Sequence, residues 1–210
     1  MVEQEAMTGL NIVLLPDRKV FNKALTHSYN ITRRFSHEFV LDSEKFRPHI
    51  TLYQGHYPNR NIEKLITGLE EMKYPDGEVV VEMNDFQLSH DTFIFWNCKK
   101  TPELQNLHER ILTIANPFRD GNIPPITKEL YPTLSDIEKR MVDSTGSILN
   151  KELFHPHITL TRLRHKEDGV DVLKSIGKGE EMSFAPYSIA VAHLGAHGTI
   201  SDIVTEIPFN

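Results

Sequence analysis

The chain has 210 residues, of which 39% are hydrophobic and 25% charged, a balance that suits one compact domain or two small lobes and excludes a disordered or fibrous chain. Its net charge of −6 gives no global electrostatic footprint for gripping long duplex nucleic acid or an anionic membrane. The single cysteine, Cys98, cannot form an internal disulfide or a thiolate metal site; with no signal peptide and no run long enough to span a bilayer, a soluble, cytoplasmic protein is expected.

In chain order, residues 10–15 read as a first strand and residues 19–29 as a helix. Phe46-Arg47-Pro48-His49-Ile50-Thr51-Leu52 follows; its proline disfavours helix at the preceding residue, and Ile-Thr-Leu favours a strand. Ile62, Leu65, Ile66, Leu69 and Met72 share one face at helical spacing, predicting a helix over 61–73 that Pro75-Asp76-Gly77 ends. Residues 79–88 read as a strand, His90-Asp91 as a turn and residues 92–97 as the antiparallel partner. Thr101-Pro102-Glu103 supplies a capping hydroxyl, a proline at the first helical position and an early acid ahead of Leu104, Leu107, Ile111, Leu112 and Ala115, which predicts a helix. Residues 116–125 are rich in turn formers and read as a connection between lobes. Ser135-Asp136-Ile137-Glu138 fits a capping box for a short helix, and residues 143–150 read as a loop.

Phe154-His155-Pro156-His157-Ile158-Thr159-Leu160 then repeats the earlier heptapeptide at six of seven positions, at an offset of 108 residues. Val170, Leu173 and Ile176 predict a shorter helix that Gly177 caps, residues 187–194 a strand, 195–198 a turn and 199–207 its partner. Motif strand, helix and hairpin thus occur twice in the same order. This implies two similar lobes in one domain, motif 1 within about 30–115 and motif 2 within about 151–210, connected by about 116–150. The shorter pattern His-x-Thr also occurs at His90-Asp91-Thr92 and His197-Gly198-Thr199, in predicted turns, where it carries no weight.

A strand sends alternate side chains to opposite faces, so Ile50 and Leu52 point into the core while Arg47, His49, Thr51 and Tyr53 point the other way. In the second copy His155, His157, Thr159 and Thr161 share that polar face. If a twofold axis relates the lobes, two imidazoles and two hydroxyls meet across one cleft. That is an inventory for phosphodiester chemistry without a metal: a neutral imidazole accepts a proton from the attacking hydroxyl or water, and a protonated one donates to the leaving oxygen. The threonine hydroxyls hydrogen-bond the non-bridging oxygens, where charge must be held.

At these residues the sequence resembles the 2H phosphoesterase superfamily, named for two His-x-Thr/Ser motifs. His157-Ile158-Thr159-Leu160-Thr161-Arg162 looks particularly like its bacterial 2′-5′ RNA ligase and cyclic phosphodiesterase branch. The resemblance implies a bilobal α+β fold, two pseudo-symmetric antiparallel sheets flanked by helices around a central cleft, with no metal or other cofactor. It also implies small substrates: nucleotides or RNA termini with 2′,3′-cyclic or 2′-5′ linkages. Carried over residue by residue, His49 and His157 take the acid and base roles, Thr51 and Thr159 bind phosphate, and Tyr53 and Arg162 are substrate contacts. Strict alternation aims Arg162 away from His157, so its use requires a strand end or bulge there. A monomer is expected.

Three other readings compete. The repeat can be structural, or belong to an inactive nucleotide-binding or RNA-binding module. His49, His155 and His157 supply three imidazoles, a zinc-like set, although His155 has Arg47 as its counterpart in the other copy. Arg162, Arg164, His165 and Lys166 form a basic stretch that solvent alone can satisfy.

Overall fold

Local signals place the helices. Helix α1 (Arg18–Thr32) starts where the Asp17 carboxylate accepts the Val20 amide at 2.8 Å, and α2 (Asn59–Glu70) follows the second strand directly. Thr101 caps α3 (Pro102–Ala115) through the Leu104 amide, with Pro102 at its first position. After the short α4 (Pro125–Leu130), Ser135 and Glu138 close both bonds of the expected capping box on α5 (Asp136–Thr145). Helix α5 takes up the first residues of the expected loop and stops at Gly146 in the left-handed region, φ 77°. Helix α6 (Gly169–Ile176) ends at Gly177, φ 72°.

The computed structural model describes residues 5–73 and 79–209; the turn expected at Pro75-Asp76-Gly77 lies outside them. Eight strands lie among the described residues: β1 (Met7–Leu14), β2 (Ile50–Pro58), β3 (Val81–Ser89), β4 (Phe93–Cys98), β5 (His157–Arg162), β6 (Met182–Phe184), β7 (Ser188–Leu194) and β8 (Ile200–Pro208). Their order is β6-β3-β4-β5-β2-β1-β7-β8 in one antiparallel sheet. The fold is α+β, but the two separate sheets that the family resemblance implied are joined into one. Each motif strand is fully paired on one side only, β2 with β1 and β5 with β4. Their remaining edges meet at the motifs, through the single pair Ile50 and Ile158.

The halves of the sheet also interleave the halves of the sequence. The β3–β4 hairpin, which follows motif 1, pairs with the motif-2 strand β5. The β7–β8 hairpin, which follows motif 2, reaches β2 through β1. Segments 30–115 and 151–210 therefore each supply strands to both halves.

Helices α2 and α3 pack against β2, α1 against β5 and α6 against β3. Between them and the sheet lie Ile12, Leu14, Ile50, Leu52, Trp96, Ile158 and Leu160 with Leu104, Leu107 and Ile111, all at 1% exposure or less. Each such aliphatic side chain contributes about 1.5–3 kcal/mol on leaving water. Val13, Ala190, Ala192 and Ile200 form a smaller cluster. Because Val13 lies opposite Thr51, that cluster floors the other face, where the motif hydroxyls point. No helix among the described residues is long and apolar enough to cross a membrane.

Candidate active site

Both motifs enter their strands through proline, and both bend the following imidazole back onto the chain. His49 Nδ1 donates to the Arg47 carbonyl at 2.8 Å, and His157 Nδ1 donates to the His155 carbonyl at 2.6 Å. A carbonyl only accepts, so each neutral ring carries its proton on Nδ1 and presents the Nε2 lone pair. The two rings have the same tautomer for the same reason.

Matched bulges then set the faces. In β2, Val13 faces Thr51 and Ile12 faces Tyr53, so Leu52 is the extra residue. In β5, Phe95 faces Thr159 and Ile94 faces Thr161, so Leu160 is the extra residue. The bulge reverses the alternation expected beyond it. Tyr53 therefore points into the core at 0% exposure, its hydroxyl donating to the Thr145 carbonyl at 2.7 Å. This corrects the reading of Tyr53 as a cleft residue. Thr161, its counterpart, is equally buried and donates to the Phe39 carbonyl at 2.6 Å. The same inversion brings Arg162 onto the face of Thr159, opposite Phe93, which supplies the bulge its use required.

The structure thus gathers His49, Thr51, His157, Thr159 and Arg162 on one face and removes Tyr53. Asn11, buried on β1, donates from Nδ2 to Thr51 Oγ1 at 3.1 Å, which leaves the Thr51 proton free to be donated outward. The Thr159 hydroxyl makes no side-chain hydrogen bond among the described residues. The Arg162 guanidinium lies 5.1 Å over the Phe93 ring, and its Nη1 donates to His197 Nδ1 at 2.9 Å.

Sequence reasoning misses Phe95 and the His197-Gly198 turn. Phe95 stacks on the His157 ring at 3.6 Å between centroids, 20° from parallel. Its signal is alternation along β4, which puts Phe93, Phe95 and Asn97 on one side. His197 reads from the sequence as a turn residue; it is one, but the turn reaches Arg162.

Burial dominates the electrostatics. It pushes His157 down to about 3, against the pull of the His155 carbonyl, and charge on His155 or on nearby His49 lowers it further. His49, 7% exposed, is also lowered by burial, opposed by the backbone of Arg47 and of Gly198. His155, half-buried with its ring centroid 5.6 Å from that of His157, is lowered by burial and by Lys100. No group of three or more His, Cys, Asp or Glu residues arranged to hold a metal ion lies among the described residues. His108, fully buried on α3, bridges the two motifs. It donates Nδ1–H to the Leu52 carbonyl at 2.6 Å, accepts the Lys151 amide on Nε2 at 2.8 Å and stacks on Phe154 at 4.1 Å.

No family model and no curated protein matches the chain. Solved structures match its fold over nearly its whole length. Escherichia coli LigT complexed with 3′-AMP is 14% identical, with a TM-score of 0.57 and coverage of 99% of each chain. A phosphoesterase is 15% identical, with a TM-score of 0.57, covering 98% of this chain and 99% of that one. TT0787 of Thermus thermophilus is 11% identical, with a TM-score of 0.59, covering 96% of this chain and 97% of that one. The chain has the fold of these proteins.

Proposed function

We propose that this face hydrolyses a phosphodiester of a nucleotide or RNA terminus, bearing a 2′,3′-cyclic or 2′-5′ linkage, by two-histidine acid and base catalysis without a metal. The observation that carries the reading is the matched pair of imidazoles, each with Nδ1 tied to the carbonyl two residues back and each followed by a threonine on the same face. Nucleotide binding by LigT, seen in its complex with 3′-AMP, agrees with it, as does the shared fold.

Water attacks phosphorus as one imidazole takes its proton; the other, as imidazolium, donates to the departing ribose oxygen. Thr51 and Thr159 donate to the non-bridging oxygens, and Arg162 balances their charge. The surroundings of the two rings differ, and the roles are assigned by that difference. His49 has two backbone groups that favour its protonated form and takes the part of the acid. His157 has one and faces charge from His155 and His49; it takes the part of the base.

The test is a panel of 2′,3′-cyclic nucleotides, 2′-5′ dinucleotides and ADP-ribose cyclic phosphate, incubated in excess chelator, with products resolved as 2′ or 3′ phosphates. Turnover that survives the chelator and follows a bell-shaped pH profile is expected. Binding of 3′-AMP with no turnover of any member favours an inactive binding module, and activity abolished by chelator and restored by zinc favours the metal reading through His49, His155 and His157.

A further inference from the structure

The β7–β8 turn belongs to the half of the sheet that carries motif 1, yet its tip touches Arg162 at the end of the motif-2 strand β5. His197 and Gly198 both lie in the left-handed region, at φ 60° and 76°, and the turn is closed by Gly195 N–H to the Thr199 carbonyl at 2.7 Å and Thr199 Oγ1–H to the Ala196 carbonyl at 2.7 Å. From this fixed base His197 Nδ1 accepts from Arg162 Nη1 at 2.9 Å. The ring lies 15° from parallel to Phe39 at 6.1 Å, and Phe39 stacks in turn on Phe46, the first residue of motif 1. The backbone of Gly198 meets His49. Among the described residues the Arg162 side chain otherwise has only the face of Phe93 to hold it, and a cation over a ring fixes height more than direction. A guanidinium has five donors, so the one spent on His197 leaves four for an anion.

We propose that His197 is a positioning residue: its Nδ1 holds the Arg162 guanidinium in the direction from which it meets the substrate phosphate, so that a turn from one half of the sheet completes the anion site of the other. The inference rests on the proposed reading of this face. It requires neutral His197 protonated on Nε2, since Nδ1 must accept. His197 acts through Arg162 and is not itself a catalytic residue.

The left-handed backbone at residue 197 shapes the test, because alanine there adds strain of its own. His197→Gly fits the turn and removes the acceptor. His197→Asn also tolerates the turn, and its Oδ1 occupies the position of Nδ1. Inorganic phosphate is titrated calorimetrically into the wild type, H197G, H197N, R162A and the double variant H197G/R162A, with the thermal midpoint of each as a check on folding; kcat and KM are measured on the best phosphodiester of the panel. H197G is expected to weaken phosphate binding about tenfold, as the loss of one charge-assisted hydrogen bond does. R162A does at least as much, the double variant is no weaker than R162A, and H197N stays within about twofold of wild type. The loss falls on KM, with kcat moved less. Phosphate affinity unchanged in H197G, additive losses in the double variant, H197N as weak as H197G, or R162A without effect each overturn the proposal. Phosphate titration needs no turnover, so a panel without activity defeats the hydrolytic reading while this result still stands or falls by itself.

Discussion

The two halves of the sheet are the same device built twice and then furnished differently. Both have Pro-His, an Nδ1 bond to the carbonyl two residues back, a threonine, and a bulge at the leucine, Leu52 in one and Leu160 in the other. The differences begin in what surrounds these groups. His49 is deeper and has the Gly198 backbone beside it, and Thr51 leans on Asn11; His157 lies on Phe95. The position after the bulge pair is Gln54 in one copy and Arg162 in the other. Duplication thus accounts for the shared imidazole geometry, while divergence around it gives the two rings different surroundings and puts Arg162 on one side only.

The largest expected effect breaks that comparison. His49→Ala and His157→Ala each lose about 10² to 10⁴ in kcat on a natural linkage while keeping the wild-type circular dichroism. A substrate with a p-nitrophenolate leaving group, which departs without a proton, restores much of the rate to His49→Ala and none to His157→Ala. Restoration of the other variant reverses the assignment, and restoration of neither removes the division of labour.

Next in size, Arg162→Ala raises KM about tenfold, whereas Gln54→Ala at the matching position changes it less than about twofold, measured on the same substrate. Equal effects would mean that the two matching positions contribute alike and that Arg162 is not a distinct anion contact. Proton linkage sharpens the contrast between empty and filled site. Burial holds both histidines below the ordinary 6.5, so both are neutral at pH 7 in the free protein, and an anion between them draws a proton in. Calorimetry of phosphate binding in buffers of different ionisation enthalpy is expected to show proton uptake at pH 7, lost in His49→Gln and retained in His157→Gln.

The smallest effect is on stability. A histidine depressed when folded binds fewer protons than in the unfolded chain, so its contribution is intact above pH 6.5 and is lost as pH falls below it. For His157 the loss runs from 6.5 towards about 3, at up to about 1.4 kcal/mol per pH unit. Denaturant melts of His157→Gln between pH 7 and 5 are expected to fall less steeply than wild type; parallel slopes would refute the shift.

The helices and the site are legible in the sequence to different depths. Thr101, Ser135 and Gly177 announce helix ends because capping is decided within a few residues. The heptapeptide repeat announces His49, Thr51, His157 and Thr159 because period-two alternation is local as well. Tyr53 is misread since nothing in Ile-Thr-Leu marks a bulge; only the register against β1 reveals it. The strand order is hidden for a related reason: a repeat says which segments resemble each other, and partner choice depends on which edges remain open once β1 has been placed. His197 is invisible as part of the site because its role comes from where the β7–β8 turn ends in space.

The interleaved strand order has a consequence for assembly during synthesis. When motif 1 leaves the ribosome, the hairpin emerging after it is destined for motif 2, and β1 must wait with one side bare until β7 and β8 are made. Neither imidazole can acquire its full surroundings from a half-length chain, and fragments cut between the motifs should regain structure only when mixed. Long-range pairings of this kind make folding slow, and they tie completion of the face that carries both motifs to strands made last.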